Sequence, residues 1–128
     1  SSTSASGAID IYLGTASSVE TTGYAGASFE TSTGLASSGA SNLYSTTFEI
    51  TSTSSAAANI YYGQAILSYI GSNAWVMTSI TSPTTSSTTA KQVFGAGGKT
   101  TASTLDRVRV ASSAGTFDAG TITVMWVG

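Results

Sequence analysis

The chain contains no His and no Cys. That excludes Ser-His-Asp hydrolysis, His-mediated proton transfer, a thiolate nucleophile, and zinc held by imidazole or thiolate. Six carboxylates are left for chemistry: Asp10, Glu20, Glu30, Glu49, Asp106 and Asp118. A glycosidase pair needs only two of them, about 5 to 10 Å apart in a cleft. No paired motif selects any two, and surface or turn carboxylates are the expected reading. Calcium would need Asp106 or Asp118 together with backbone carbonyls, and there is no D-x-D-x-D run to provide a loop. Gly95-Ala96-Gly97-Gly98-Lys99-Thr100 shares the Lys-Thr ending of a phosphate loop, but Val93 stands where that motif requires its first glycine and no helix pattern follows. A Gly-rich β-connection is the expectation. No catalytic residue, metal or cofactor is assigned.

Aromatic side chains are the remaining functional candidates, because a Tyr ring can stack on a sugar face while its hydroxyl hydrogen-bonds. Tyr24, Tyr61, Tyr62 and Tyr69 are the candidate surface contacts, set against the alternative that alternate members fill a core or a subunit interface. Trp75 and Trp126 sit inside strand patterns and are expected in the core.

The elements that would carry these residues read as strands. No window holds an apolar stripe at helical spacing, since Ser, Thr and Gly interrupt throughout. Strands are expected at Ala8–Leu13, Tyr44–Thr51, Asn59–Ile70, Ala74–Ile80, Lys91–Phe94, Leu105–Ala111 and Thr121–Val127, bounded by turn-forming clusters. Alternation puts Tyr44, Thr46, Phe48 and Ile50 on one face, sets Val108 and Val110 opposite Arg107 and Arg109, and groups Ile122, Val124 and Trp126. A β-hairpin is expected across Gly71-Ser72-Asn73-Ala74. The stretch from Gly14 to Ser41 reads as a long ordered loop with one short strand near Ser28–Thr31, and Ser82–Thr89, which holds the only Pro, reads as a loop. Short strands with frequent turns in 128 residues predict a single all-β domain, a jelly-roll-like antiparallel β-sandwich.

Composition narrows the partners. Ser and Thr supply 24 and 22 residues while only ten side chains carry charge, four basic and six acidic, so solubility rests on hydroxyls. Twelve aromatics and 41% hydrophobic residues distinguish the chain from a disordered polar one. Two Lys and two Arg form no basic stripe, so nucleic acid is not an expected partner. No apolar run approaches the roughly 18 residues of a membrane span. Stability must come from packing, sheet hydrogen bonds or subunit contacts rather than disulfides. The chain opens on Ser1 rather than Met, which suggests processing or excision from a longer chain.

The C-terminal third carries the run Gly98-Lys99-Thr100-Thr101-Ala102-Ser103-Thr104-Leu105-Asp106-Arg107-Val108-Arg109-Val110, then Gly115-Thr116-Phe117-Asp118-Ala119-Gly120-Thr121-Ile122-Thr123-Val124-Met125-Trp126. It resembles the ending of fibre and virion structural proteins of tailed bacteriophages, a "LDRVRV…GTFDAGTI" string. Val19-Glu20-Thr21-Thr22-Gly23-Tyr24 and Asn73-Ala74-Trp75-Val76 are similar in the same order, so the resemblance runs from about Ile9 to the end. It implies a jelly-roll-like sandwich in a virion or extracellular setting, a homo-oligomer of three or more copies that caps a fibre, and contacts to other virion proteins and to a host-surface glycan or protein. It brings no catalytic residues. Members of that group carry a further strand-containing segment before the region matching Ala8–Gly14, where here only Ser1–Gly7 stands; if the sandwich needs that strand, a neighbouring subunit is the expected source. A self-assembling extracellular filament and a carbohydrate-binding module are the alternative readings. Contact surfaces are expected at the strand edges near Ser1–Leu13 and in the loop from Thr15 to Ala40.

Overall fold

A computed structural model describes residues 2–3, 5–16, 18–32, 40–51, 57, 59–84 and 91–127. These form β1 (Ser2–Thr3), β2 (Ile9–Thr15), β3 (Ser18–Val19), β4 (Tyr24–Ser32), β5 (Ala40–Leu43), β6 (Phe48–Glu49), β7 (Ile60–Gly71), β8 (Ala74–Thr84), β9 (Lys91–Thr100), β10 (Arg107–Ser112) and β11 (Phe117–Ala119), with no helix among them. The expected antiparallel β-sandwich is what forms. One sheet has the order β10-β2-β3, with β6 sharing the second edge of β2. The other has the order β5-β4-β9-β8-β7, and β1 pairs with β11.

The expected hairpin joins β7 to β8, with Ser72 and Asn73 at φ +50° and +59°. Two successive positive φ values give the turn a twist that matches its strands. The core between the sheets is built on Ile11, Leu13, Tyr24, Tyr44, Phe48, Trp75 and Met77. Tyr24 and Tyr44 meet the Phe48 ring edge to face, at centroid distances of 4.8 and 5.6 Å, a preferred aromatic geometry.

Several elements differ from their sequence reading. Gly14–Ser41 holds β3, β4 and the start of β5 rather than one long loop, and the short strand expected near Ser28–Thr31 lies inside the nine-residue β4. The first half of β4 was hidden by its small residues, Ala25 to Ser28, which weaken any hydrophobic alternation. β9 continues six residues past Phe94 because Gly95 and Gly97 face inward, where core aromatics need the room: a Cβ on Gly97 would lie 2.8 Å from Tyr44 Cδ2 and 3.1 Å from Phe48 Cε1. β8 runs on through Pro83 to Thr84, into the expected loop, whose residues 85–89 lie outside the described ones.

Within Tyr44–Thr51 only Phe48–Glu49 pairs as strand. Side chains extend the pairing there: beside the bond from Ile50 N–H to the Ile9 carbonyl at 2.9 Å, the Thr47 hydroxyl donates to the Ile11 carbonyl at 2.9 Å, and the Thr51 hydroxyl accepts from Ile9 N–H at 2.7 Å. β2 is paired on both sides, so Ile9–Leu13 is not the open edge expected. Thr121–Val127, expected as a strand, joins no sheet among the described residues, and Trp126 is 73% exposed rather than core.

Candidate functional site: the outer face of the five-stranded sheet

Strand alternation gives β8 two unlike faces. Trp75, Met77, Ser79, Thr81 and Pro83 are buried, while Thr78, Ile80, Ser82 and Thr84 point away from the core. On β9 the outward set includes Gln92, Phe94 and Ala96, and on β4 it includes Ala25, Ala27 and Phe29. Register then aligns these residues across strands. Phe29 pairs with Phe94 and Phe94 with Ile80, and the next row runs from Leu43 through Ala27, Ala96 and Thr78 to Ile66. Neighbouring strands lie about 4.8 Å apart, so each row is a continuous strip of side chains.

The outcome is a broad apolar surface. Phe29, Phe94, Ile80, Ile66, Leu43, Ile60 and Tyr62 are all large, apolar or aromatic, and exposed. None of the described outward positions on β4, β7, β8 and β9 is charged. Isolated exposed apolar residues are ordinary, whereas a contiguous group of this kind is unusual on a single chain and makes this face the candidate contact site.

The four candidate tyrosines separate. Tyr62, 63% exposed, stands on this outer face between Ile60 and Gln64. Tyr69 is also exposed but lies on the other face of β7, its ring 5.1 Å from that of Trp75. Tyr61 alternates with Tyr62, faces the core side opposite Pro83, and is half-buried. Tyr24 is buried and is not a surface contact. Its hydroxyl accepts from Leu13 N–H at 2.8 Å and donates to the Glu20 carbonyl at 3.0 Å, and burial pushes its pKa up to about 12. Phe29, Ile80 and Phe94, missed in the sequence reading, are the centre of the face. The alternation of Ile80 with Met77 and Ser79 was the available signal.

The carboxylates are dispersed, with one exception. Lys91 pairs with Glu30 at 2.9 Å, Arg107 with Asp106 at 2.7 Å, and the Arg109 guanidinium lies 5.5 Å from the centroid of the Tyr12 ring. Asp118 lies on β11. Among the described residues no three His, Cys, Asp or Glu side chains come together.

Asp10 and Glu49 are direct cross-strand neighbours, a pairing the sequence did not announce. Burial, then the Glu49 charge, raises the Asp10 pKa to about 6 against the hydrogen bond from Tyr12. Burial raises Glu49 as well, against the hydrogen bond from Asn42. Yet Asp10 is only 2% exposed, and its Oδ1 has no hydrogen-bond partner among the described residues.

No protein-family model matches the chain, and no curated protein or solved structure shows significant similarity to it.

Proposed function

We propose that this chain is a non-enzymatic structural domain of the outer parts of a tailed-phage particle, a tail-fibre or appendage module that assembles with copies of itself and contributes to host-surface attachment. The observation that carries the assembly reading is the uncharged apolar outer face centred on Phe29, Ile80 and Phe94. Burying such side chains stabilises by ~1.5 to 3 kcal/mol each. A second copy of the same face is the partner that fits best, since it brings no charge to be stripped of water without compensation. The phage setting is supported by the resemblance of the stretch from Gly98 to Trp126 to fibre-protein endings. Ser and Thr hydroxyls and the exposed Tyr69 ring give the rest of the surface groups suited to glycan or protein contact.

The test is the mass of the purified chain by light scattering coupled to size exclusion, with electron microscopy of the same fractions. A discrete homo-oligomer, a trimer above all, supports the reading. Open-ended polymers favour the filament, and a stable monomer that binds a glycan favours a carbohydrate-binding module.

A further inference from the structure

The seven residues from Thr121 to Val127 have the pattern of a strand and none of its pairing. Ile122, Val124 and Trp126 alternate with Thr121, Thr123 and Met125, yet no residue of the segment joins a sheet. Val124 to Val127 are between 72 and 93% exposed. The single chain thus leaves an apolar, β-branched segment in water, with backbone donors and acceptors that no ladder satisfies.

An edge of similar length stands open in the same molecule. β10, six residues long, pairs with β2 on one side and, among the described residues, with no strand on the other. Val108 is the cross-strand partner of fully buried Leu13 and shares its face, but is itself 37% exposed. An unpaired strand edge beside a partly uncovered core is a template for one more strand.

We propose that residues 121–127 of one copy add to the free edge of β10 in a second copy. Ile122, Val124 and Trp126 then cover Val108 and the flank of the neighbour's core. The tail does not take this place in its own chain. β11 is held by β1 through Ser2↔Ala119 and Thr3↔Phe117, Gly120 at φ +101° redirects the backbone, and Trp126 rests 6.4 Å from Trp75 without any ladder to β10. Donor and acceptor are different surfaces of one chain, so the contact is head to tail and each copy both gives and receives a strand. The inference rests on the reading that the chain assembles with itself, but uses a surface separate from the outer face of the large sheet.

Cysteine pairing tests it, because the chain has no Cys of its own. Arg109→Cys protein is mixed with Thr123→Cys or Met125→Cys protein under mild oxidation, and the double variants are oxidised alone at high dilution. The expected result is a disulfide-linked dimer from a mixture and little internal disulfide in the double variants. A synthetic peptide of residues 120–127 in excess is expected to suppress the dimer. Monomeric double variants closed by an internal disulfide would show that the tail pairs with its own β10 and overturn the proposal, as would the absence of any cross-link. Oligomers that persist without the cross-link would sink strand donation and leave assembly through the outer face standing.

Discussion

Lys99 Nζ lies 2.6 Å from Glu20 Oε2 and 4.8 Å from the centroid of the Tyr24 ring, with the Lys99 side chain only 2% exposed. The ammonium also donates to the Thr22 carbonyl at 2.8 Å, and the second Glu20 oxygen accepts from Ala102 N–H and the Thr15 hydroxyl. Burial works against the Glu20 charge, but these hydrogen bonds, led by that from Lys99, hold its pKa below the usual carboxylate value. The knot ties β9 to the segment between β3 and β4. Removing one member strands the other in a site built for a charge. Lys99→Ala is therefore expected to lose roughly 3 kcal/mol of unfolding free energy, read by urea denaturation. A loss below about 0.5 kcal/mol, the level of an ordinary surface change, would contradict this account of the pair.

Asp10 makes stability depend on pH in the opposite sense to most carboxylates. Its folded pKa of about 6 lies above the ordinary 3.8, so between those values the folded state binds more protons than the unfolded one. Stability from this group is then full below pH 4, falls as pH rises to about 6, and stays low above it. Asp10→Asn removes the ionisation. The variant is expected to match the wild type near pH 4 and to exceed it at pH 7.5 by at most about 3 kcal/mol. Thermal melts of both proteins across that range check this, and an equal difference at every pH would refute it.

Gly97 faces the Tyr44 and Phe48 rings across β9. Gly97→Ala pushes a methyl against them and against the Ala25 carbonyl, 2.5 Å from the Cβ position. The expected loss is about 1 to 3 kcal/mol, the usual range for an overpacked core, measured by chemical denaturation. Unchanged stability would mean that the rings do not require the glycine.

Tyr24 and Tyr62 separate folding from contact. Tyr24→Phe deletes a buried hydroxyl and leaves Leu13 N–H without its partner, for an expected cost of about 1 to 3 kcal/mol. Tyr62→Ala removes an exposed ring and is expected to change stability of the dissociated chain by less than about 0.5 kcal/mol while weakening assembly. Calorimetry and light scattering on the two variants give the comparison. Weakened assembly from Tyr24→Phe at full stability would reverse the assignment.

The sequence made the all-β class and the β7–β8 hairpin legible because Ile60–Ile70 and Trp75–Ile80 are two runs rich in Ile, Tyr, Val and Trp that flank the turn residues Gly71-Ser72-Asn73-Ala74. The first half of β4 and the second half of β9 were illegible for one physical reason: inward positions such as Ser28, Gly95 and Gly97 are small so that Tyr44 and Phe48 can lie against them. A strand whose core contribution is space rather than bulk leaves no hydrophobic period. The adjacency of Asp10 to Glu49, 39 positions apart, and the row from Phe29 through Phe94 to Ile80 arise from strand register, which spacing in one dimension does not encode. Thr121–Val127 was read as a strand from its pattern. Among the described residues that segment joins no sheet, so alternation alone did not make it a strand.

On the proposed function, the outer face of the large sheet is covered by another copy of the chain. Hydroxyl-radical footprinting of the concentrated and the diluted protein measures that directly. Phe29, Tyr62 and Phe94 are expected to lose reactivity several-fold on assembly, while Tyr12, on the other sheet, keeps its own. Equal labelling of Phe29, Tyr62 and Phe94 in both states, or protection confined to Tyr12, would contradict the account.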